Sequence, residues 1–303
     1  MRVFIIRRLL LLMPVILGIT IFVFALTRMG GDPAAIYYTP HMNQAARADV
    51  REMLHLNEDI LTQYWYWLSE IVQGNWGYSP TGATSVTESI ALFFPATFEL
   101  AIVALVIALP TGIYLGTLSA VKRGKTIDHG TRIFALIGVS LPIFVLGLVL
   151  QYIFYFKLQI LPATGRYDEI LFFDYQSSFH NYTGFFLIDC ILNMNWTMFV
   201  DGFKHLILPA VTLSLGSIAL IARLMRSSML EVLGLDYVKS ARAKGLPERV
   251  VIKKHARRNA LIPVTTVGGL MFGGMLGGAV ITETIYSWPG LGRWATQAIT
   301  TFD

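Results

Sequence analysis

Charged residues are absent from five long stretches of this chain: 9–26, 100–121, 133–156, 206–222 and 260–282. Each approaches the roughly 17–25 residues that an α-helix needs to cross the hydrocarbon core of a bilayer. Backbone polar groups find no partners in lipid, so a span must be a helix or part of a closed barrel. Barrel strands read as segments of about 10 residues alternating in polarity, and that pattern is missing here. The predicted fold is all-α, a polytopic helical membrane protein with five visible spans. Arg2, Arg7 and Arg8 precede the first stretch as they would in a signal peptide. The apolar run is nevertheless longer than the roughly 7–15 residues of a signal core, and no small-x-small cleavage site follows it. It reads as an uncleaved first span.

The polar connections differ sharply in character. Residues 27–99 form a region too long for a simple connector. It has helical spacing at 43–55 and again at 57–72, where Asn57, Glu58 and Asp59 supply an N-cap and an acidic first turn. Tyr64, Trp65, Tyr66 and Trp67 suit a helix lying at the membrane interface; they equally suit the packing of a small subdomain, and both readings can hold. The second long connection, 157–205, contains Asp168, Glu169, Asp174, Asp189 and Asp201. Irregular structure with short elements is expected there.

Charge then sets an orientation. With the N-terminus inside and the spans alternating, the inside segments hold 17 of the 24 Lys/Arg and 4 of the 19 Asp/Glu. The positive-inside rule favours this arrangement. Residues 27–99 and 157–205 are then extracytoplasmic, and residues 223–262 are cytoplasmic. The single cysteine, Cys190, cannot form an internal disulfide.

The cytoplasmic stretch 236–263 is unusual. It holds eight Lys/Arg against only Asp236 and Glu248, yet it is patterned rather than a loose charge run. The fourth span is expected to continue as a helix to Leu233, with Gly234 as its C′ residue. Asp236 then caps a short helix through Lys244, which Gly245 ends. Pro247 stands at the first position of the next helix, with Glu248 in its first turn. Gly245, Leu246 and Pro247 thus form the corner of two short helices, and Arg249, Lys253 and Arg257 lie at i, i+4, i+8. Anionic lipid would be attracted to such a knob, and nucleic acid is a further reading. An ordered corner exceeds what a cloud of charge requires, so a protein partner is expected and nucleic acid is not.

Other motifs carry less. Gly124, Lys125 and Thr126 imitate the end of a P-loop, but Ser119 stands where the first glycine belongs and no strand precedes it. The six histidines show no metal-binding spacing. The apolar cores contain no ionisable Asp, Glu, Lys or Arg, whereas ion-coupled transporters depend on intramembrane relays; Glu99 and Glu283, at outer span ends, are read as reaching water. Pro110, Pro142 and Pro209 are candidate kinks. The fifth span is rich in glycine, and Gly269, Gly273 and Gly277 recur at the small-x-x-x-small spacing of close helix contacts. Internal packing or a subunit interface is the expected use of that face.

Several of these segments together resemble a known family. Ala241-Arg242-Ala243-Lys244-Gly245-Leu246-Pro247, followed by His255 and by Arg258-Asn259-Ala260-Leu261-Ile262-Pro263, is similar to the cytoplasmic coupling loop of ABC-importer permeases. Arg7-Arg8-Leu9, Gly74-Asn75-Trp76-Gly77-Tyr78-Ser79, Glu283-Thr284-Ile285-Tyr286 and Pro289-Gly290-Leu291-Gly292 agree with the dipeptide/oligopeptide (nickel) branch. The likeness covers residues 1–303 as a single permease transmembrane domain. Lys239 stands where the wider family's loop signature begins with glutamate.

The resemblance implies a permease without its own ATPase site or cofactor. It implies a second homologous permease, two cytoplasmic ATPases carrying ATP and Mg, an extracytoplasmic substrate-binding protein, and surrounding membrane lipid. It assigns ATPase coupling to Lys239, Ser240, Ala241, Arg242, Ala243, Lys244, Gly245, Leu246, Pro247 and His255. Peptides are the implied cargo, with oligosaccharide or nickel as alternatives and an ion-coupled secondary transporter as the rival class. Permeases of this kind have six spans, so roughly 20 further apolar residues are expected beyond Asp303.

Overall fold

The computed structural model describes residues 2–29, 32–39, 41–301 and 303. It resolves into two compact units, residues 1–91 with 295–303, and residues 92–294.

In the first unit, α1 (Arg2–Met29) is an apolar helix of 28 residues with Phe24 as its buried side chain. Two amphipathic helices follow, α2 (Gln44–Met53) and α3 (Ile60–Val72). Asn43 caps α2 by accepting from the Ala46 N–H at 2.8 Å. Asp59, rather than Asn57, caps α3, accepting from the Leu61 N–H at 3.1 Å. The aromatic run of α3 divides its labour. Tyr64 and Trp67 pack against Phe24, and Tyr64 also bonds Thr20 at 2.9 Å. Trp65 and Tyr66 are exposed. A small hairpin, β1 (Tyr78–Ser79) with β2 (Thr84–Ser85), pairs antiparallel and contains the only strands among the described residues.

The second unit is organised around one long helix. Its helices are the greater part of α4 (Val86–Val121), α5 (Thr126–Ser140), α6 (Ile143–Gln151), α7 (Glu169–Phe173), α8 (Phe186–Leu192), α9 (Trp196–Leu233), α10 (Asp236–Ala243), α11 (Glu248–Val250), α12 (Arg257–Gly278), α13 (Val280–Ile285) and the start of α14 (Leu291–Thr300). The 38-residue α9 packs against α5, α6, α8 and α12. Its buried stripe, including Ile218, Ile221, Met225 and Met229, forms the main core with residues of α4, α10 and α12.

Two expectations about the spans are corrected. The stretch 133–156 is not one helix: α5 and the segment from Ile143 meet at a bend of 102°. Pro142 has no N–H to donate, and the residue before it, Leu141, is driven to extended backbone at φ −76°, ψ 125°. The helix must therefore stop there. Pro110 and Pro209 lie inside continuous helices. Among the described residues, four helices are long and apolar enough to cross a membrane, and the bent pair makes up to five.

The second correction concerns the internal-packing half of the glycine expectation and leaves the subunit-interface half standing. Among the described residues, nothing beyond the local helix comes within 4 Å of where a Cβ on Gly269, Gly273 or Gly277 would stand. Close helix contact uses other glycines. A Cβ on Gly112 would meet Ile221 Cβ at 2.7 Å, and one on Gly116 would meet the Ala222 carbonyl oxygen at 2.5 Å. Their four-residue spacing lays α4 directly on α9.

Candidate functional site

The basic knob is built as a helix, a corner and a second helix. The helix α9 ends at Leu233 as expected, although Gly234 has φ −83° and needs no left-handed turn. Asp236 is the first residue of α10 rather than its cap, and it pairs with Lys239 at 2.9 Å. Gly245 does adopt left-handed backbone, at φ +75°. A side chain there would be strained, which suits glycine to the corner. Pro247 caps α11, one position earlier than expected.

Beyond the corner, the expected second short helix is replaced by a longer one. Helical structure runs from Glu248 to Gly277, 30 residues, into the fifth apolar stretch. The junction, Val251–Ala256, is π-helical.

Packing fixes the knob against the end of α9. Val238, Ala241, Val251 and Ala256 are buried in the same core as Met225 and Met229. Arg242 grips Glu248 with both ends of its fork, at 3.1 and 2.7 Å, closing the corner from outside. Tyr237 accepts from the Asn259 amide at 2.6 Å. Of the residues assigned to coupling, Lys239, Ser240, Arg242, Ala243, Lys244, Gly245, Leu246 and Pro247 are exposed, and His255 is half-buried. Ala241 is corrected: its side chain faces inward, so it packs the knob rather than meeting a partner.

Just above the knob lies a link that the sequence reading missed. Asp128, at the start of α5, is buried and accepts four hydrogen bonds. Ser119 Oγ and the Gly124 N–H donate at 2.6 and 3.0 Å, and the Arg226 guanidinium donates twice, at 2.7 and 3.0 Å. The segment resembling a P-loop end is thus a turn that satisfies a carboxylate. The available signal was a lone acid among four cations, at 122–132.

The opposite ends of these helices carry a second polar cluster, and here the expectation of water-reaching carboxylates fails. Glu283 is fully buried. It accepts from Thr97 Oγ1 at 2.7 Å and from the Arg293 N–H at 2.8 Å. Gly290 and Gly292 pack directly on its carboxylate. Trp288 donates its indole N–H to the Ala96 carbonyl at 2.9 Å, and Tyr286 bonds Thr212 at 2.8 Å. Glu99 is buried too, held by Arg166 at 2.7 Å and by the Leu187 N–H at 3.0 Å.

Residues 108–303 match the family described as the binding-protein-dependent transport system inner membrane component. Residues 1–101 match the N-terminal part of such membrane components. The chain belongs to this family. Its relatives include the di/tripeptide transport system permease protein DppB of Pseudomonas aeruginosa, 43% identical over 99% of this chain and 88% of that protein. The dipeptide transport system permease protein DppB of Alkalihalophilus pseudofirmus is 42% identical over 97% and 86%. The probable D,D-dipeptide transport system permease protein DdpB of Escherichia coli is 41% identical over 95% and 84%.

Membership makes this a multi-pass membrane subunit of an ABC importer, a transport component. The ion-coupled reading is set aside. The exposed corner at 244–247 and the buried Asp128–Arg226 pair are the two polar features at this end of the helices. Among the described residues, no cluster of His, Cys, Asp or Glu is arranged to hold a metal ion.

Proposed function

We propose that this permease imports peptides, forming the translocation path with a second homologous permease while two cytoplasmic ATPases hydrolyse ATP. An extracytoplasmic binding protein delivers the cargo, and the N-terminus is cytoplasmic. The peptide assignment is supported by the relatives' names, and the orientation by the asymmetry of Lys and Arg. The observation that carries the mechanism is the exposed corner. It stands at the end of a helix that runs through 30 residues into a spanning stretch, so a push on the corner moves that span as a lever. The bare face at Gly269, Gly273 and Gly277 is assigned to the homologous permease.

Reconstitution of the assembled transporter tests the scheme. Uptake should follow ATP on the cytoplasmic face rather than an ion gradient. Leu246→Arg should leave ATP hydrolysis running while peptide uptake falls at least tenfold; wild-type uptake in that variant would remove the corner from the mechanism. Transport of an oligosaccharide or nickel instead of peptide would replace the cargo and keep the machinery.

A further inference from the structure

A cavity of about 450 Å³ opens between α5 and α9. Its lining includes His129 and Arg132 from α5, at i and i+3, together with Arg223 and Arg226 from α9, again at i and i+3. Ile133 and Leu136, also from α5, add an apolar part and are exposed by 58% and 62%. Among the described residues, no carboxylate lines the space. Arg226 is already neutralised by Asp128, through hydrogen bonds of 2.7 and 3.0 Å. Arg132 and Arg223 are exposed, and among the described residues neither has an ionic partner.

Position matters as much as charge. Arg132 immediately precedes the uncharged stretch 133–156, and Arg223 immediately follows 206–222. Two guanidiniums therefore stand where lipid-facing helix gives way to the cytoplasmic headgroup layer. A free phosphate would satisfy the cations alone. A phospholipid would satisfy both kinds of lining, its phosphodiester meeting the guanidiniums while its chains cover Ile133 and Leu136. Arginine suits this task because its planar fork donates two parallel bonds to phosphate oxygens.

We propose that the cavity between α5 and α9 binds the headgroup of an anionic phospholipid of the inner leaflet. The side on which it lies rests on the orientation proposed above. The lipid is attached to α9, the helix that leads to the knob, so occupancy would hold the Asp128–Arg226 end of the bundle in register with the bilayer surface.

The test uses the assembled transporter in bilayers of phosphatidylcholine containing phosphatidylglycerol, with retained lipid counted by native mass spectrometry. Phosphatidylglycerol should be retained over phosphatidylcholine. Arg132→Ala with Arg223→Ala should weaken its retention roughly 30-fold, the loss of two cationic contacts at an anionic surface. Co-purification with the other subunits reports whether that variant is folded; if it is not, Arg223→Gln alone replaces it, with an expected loss of roughly fivefold. Equal retention in wild type and variant overturns the site. Displacement of the lipid by millimolar glycerol phosphate overturns the lipid reading in favour of a soluble phosphate compound. A disulfide from Ser227→Cys to another subunit overturns it in favour of a protein interface. Labelling of that same cysteine by an impermeant thiol reagent from outside would invert the orientation without touching the retention result, so the two failures are distinguishable.

Discussion

The second unit buries a carboxylate at each end of its long helices, by opposite means. Asp128 is matched by charge: Arg226 and two neutral donors supply four hydrogen bonds, tying α4, α5 and α9 together. Glu283 is matched by shape. A threonine hydroxyl and a backbone N–H supply its donors, while glycines 290 and 292 leave room for the carboxylate that any side chain would fill. The difference has a mechanical meaning. Coulomb attraction declines gradually with separation, so a charge link survives small displacements. A glycine cradle depends on contact, and a gap of about 0.5–1 Å already forfeits roughly a quarter to a half of a contact's energy. The end nearer the knob is joined by a charge link; the other end has a charge link of its own, Arg166–Glu99, and adds the rigid glycine cradle.

The comparison is broken most directly at Asp128. Asp128→Ala strands a largely enclosed guanidinium and should destabilise the permease by about 3–5 kcal/mol, read as a loss of thermal stability in detergent. Asp128→Asn should retain the Ser119 contact and lose less; an effect below about 1 kcal/mol in both variants would mean that charge is not what holds this end. At Gly290, an added methyl would overlap the Glu283 carboxylate. Gly290→Ala should cost about 1–3 kcal/mol, the range for overpacking a tight site. Combining it with Glu283→Ala should cost less than the sum of the two, because the carboxylate part of the clash is then gone and only Thr97 Oγ1 remains in the way. Additive effects would show that the cradle does not act through shape.

Smaller effects sharpen the contrast. Thr97→Val removes the hydroxyl donor to Glu283 and should cost about 1–2 kcal/mol. Glu248→Gln at the exposed Arg242 pair should cost less than about 1 kcal/mol, since solvent screens it, although the same variant should loosen the corner measurably in hydrogen exchange. The least effect is expected at Cys190. Burial, reinforced by the Glu99 and Asp189 carboxylates, pushes its thiol up to about 12. It should resist thiolate-directed reagents at pH 8 until the protein is unfolded. Because the folded form holds its proton more tightly, the contribution of this thiol to stability is constant at neutral pH. It declines only as pH rises from the ordinary thiol range near 8.5 toward 12. Rapid labelling at pH 8 would show the site to be open.

What the sequence determined by itself was whatever depends on local order. The absence of charge from five stretches dictated helices in a membrane, because an unpaired backbone in lipid has no alternative. The Gly245–Pro247 corner was legible because left-handed backbone and a missing N–H are properties of single residues. Even so, the cap of α3 fell on Asp59 rather than Asn57, since several neighbouring residues can cap equally well, and Pro247 stands one position before the helix it was expected to begin. Tertiary structure decided everything that depends on what stands across a gap. The stripe of Gly269, Gly273 and Gly277 was the more regular one in sequence, yet Gly112, Gly116, Gly138 and, beside that stripe, Gly268 are among the glycines that meet a facing helix. Ala241 faces inward because Val251 and Met229 happen to share its core. Asp128 and Arg226 are 98 residues apart, and Thr97 and Glu283 are 186 apart. Pairing at that separation follows from helix packing, so no local pattern in the chain encodes it.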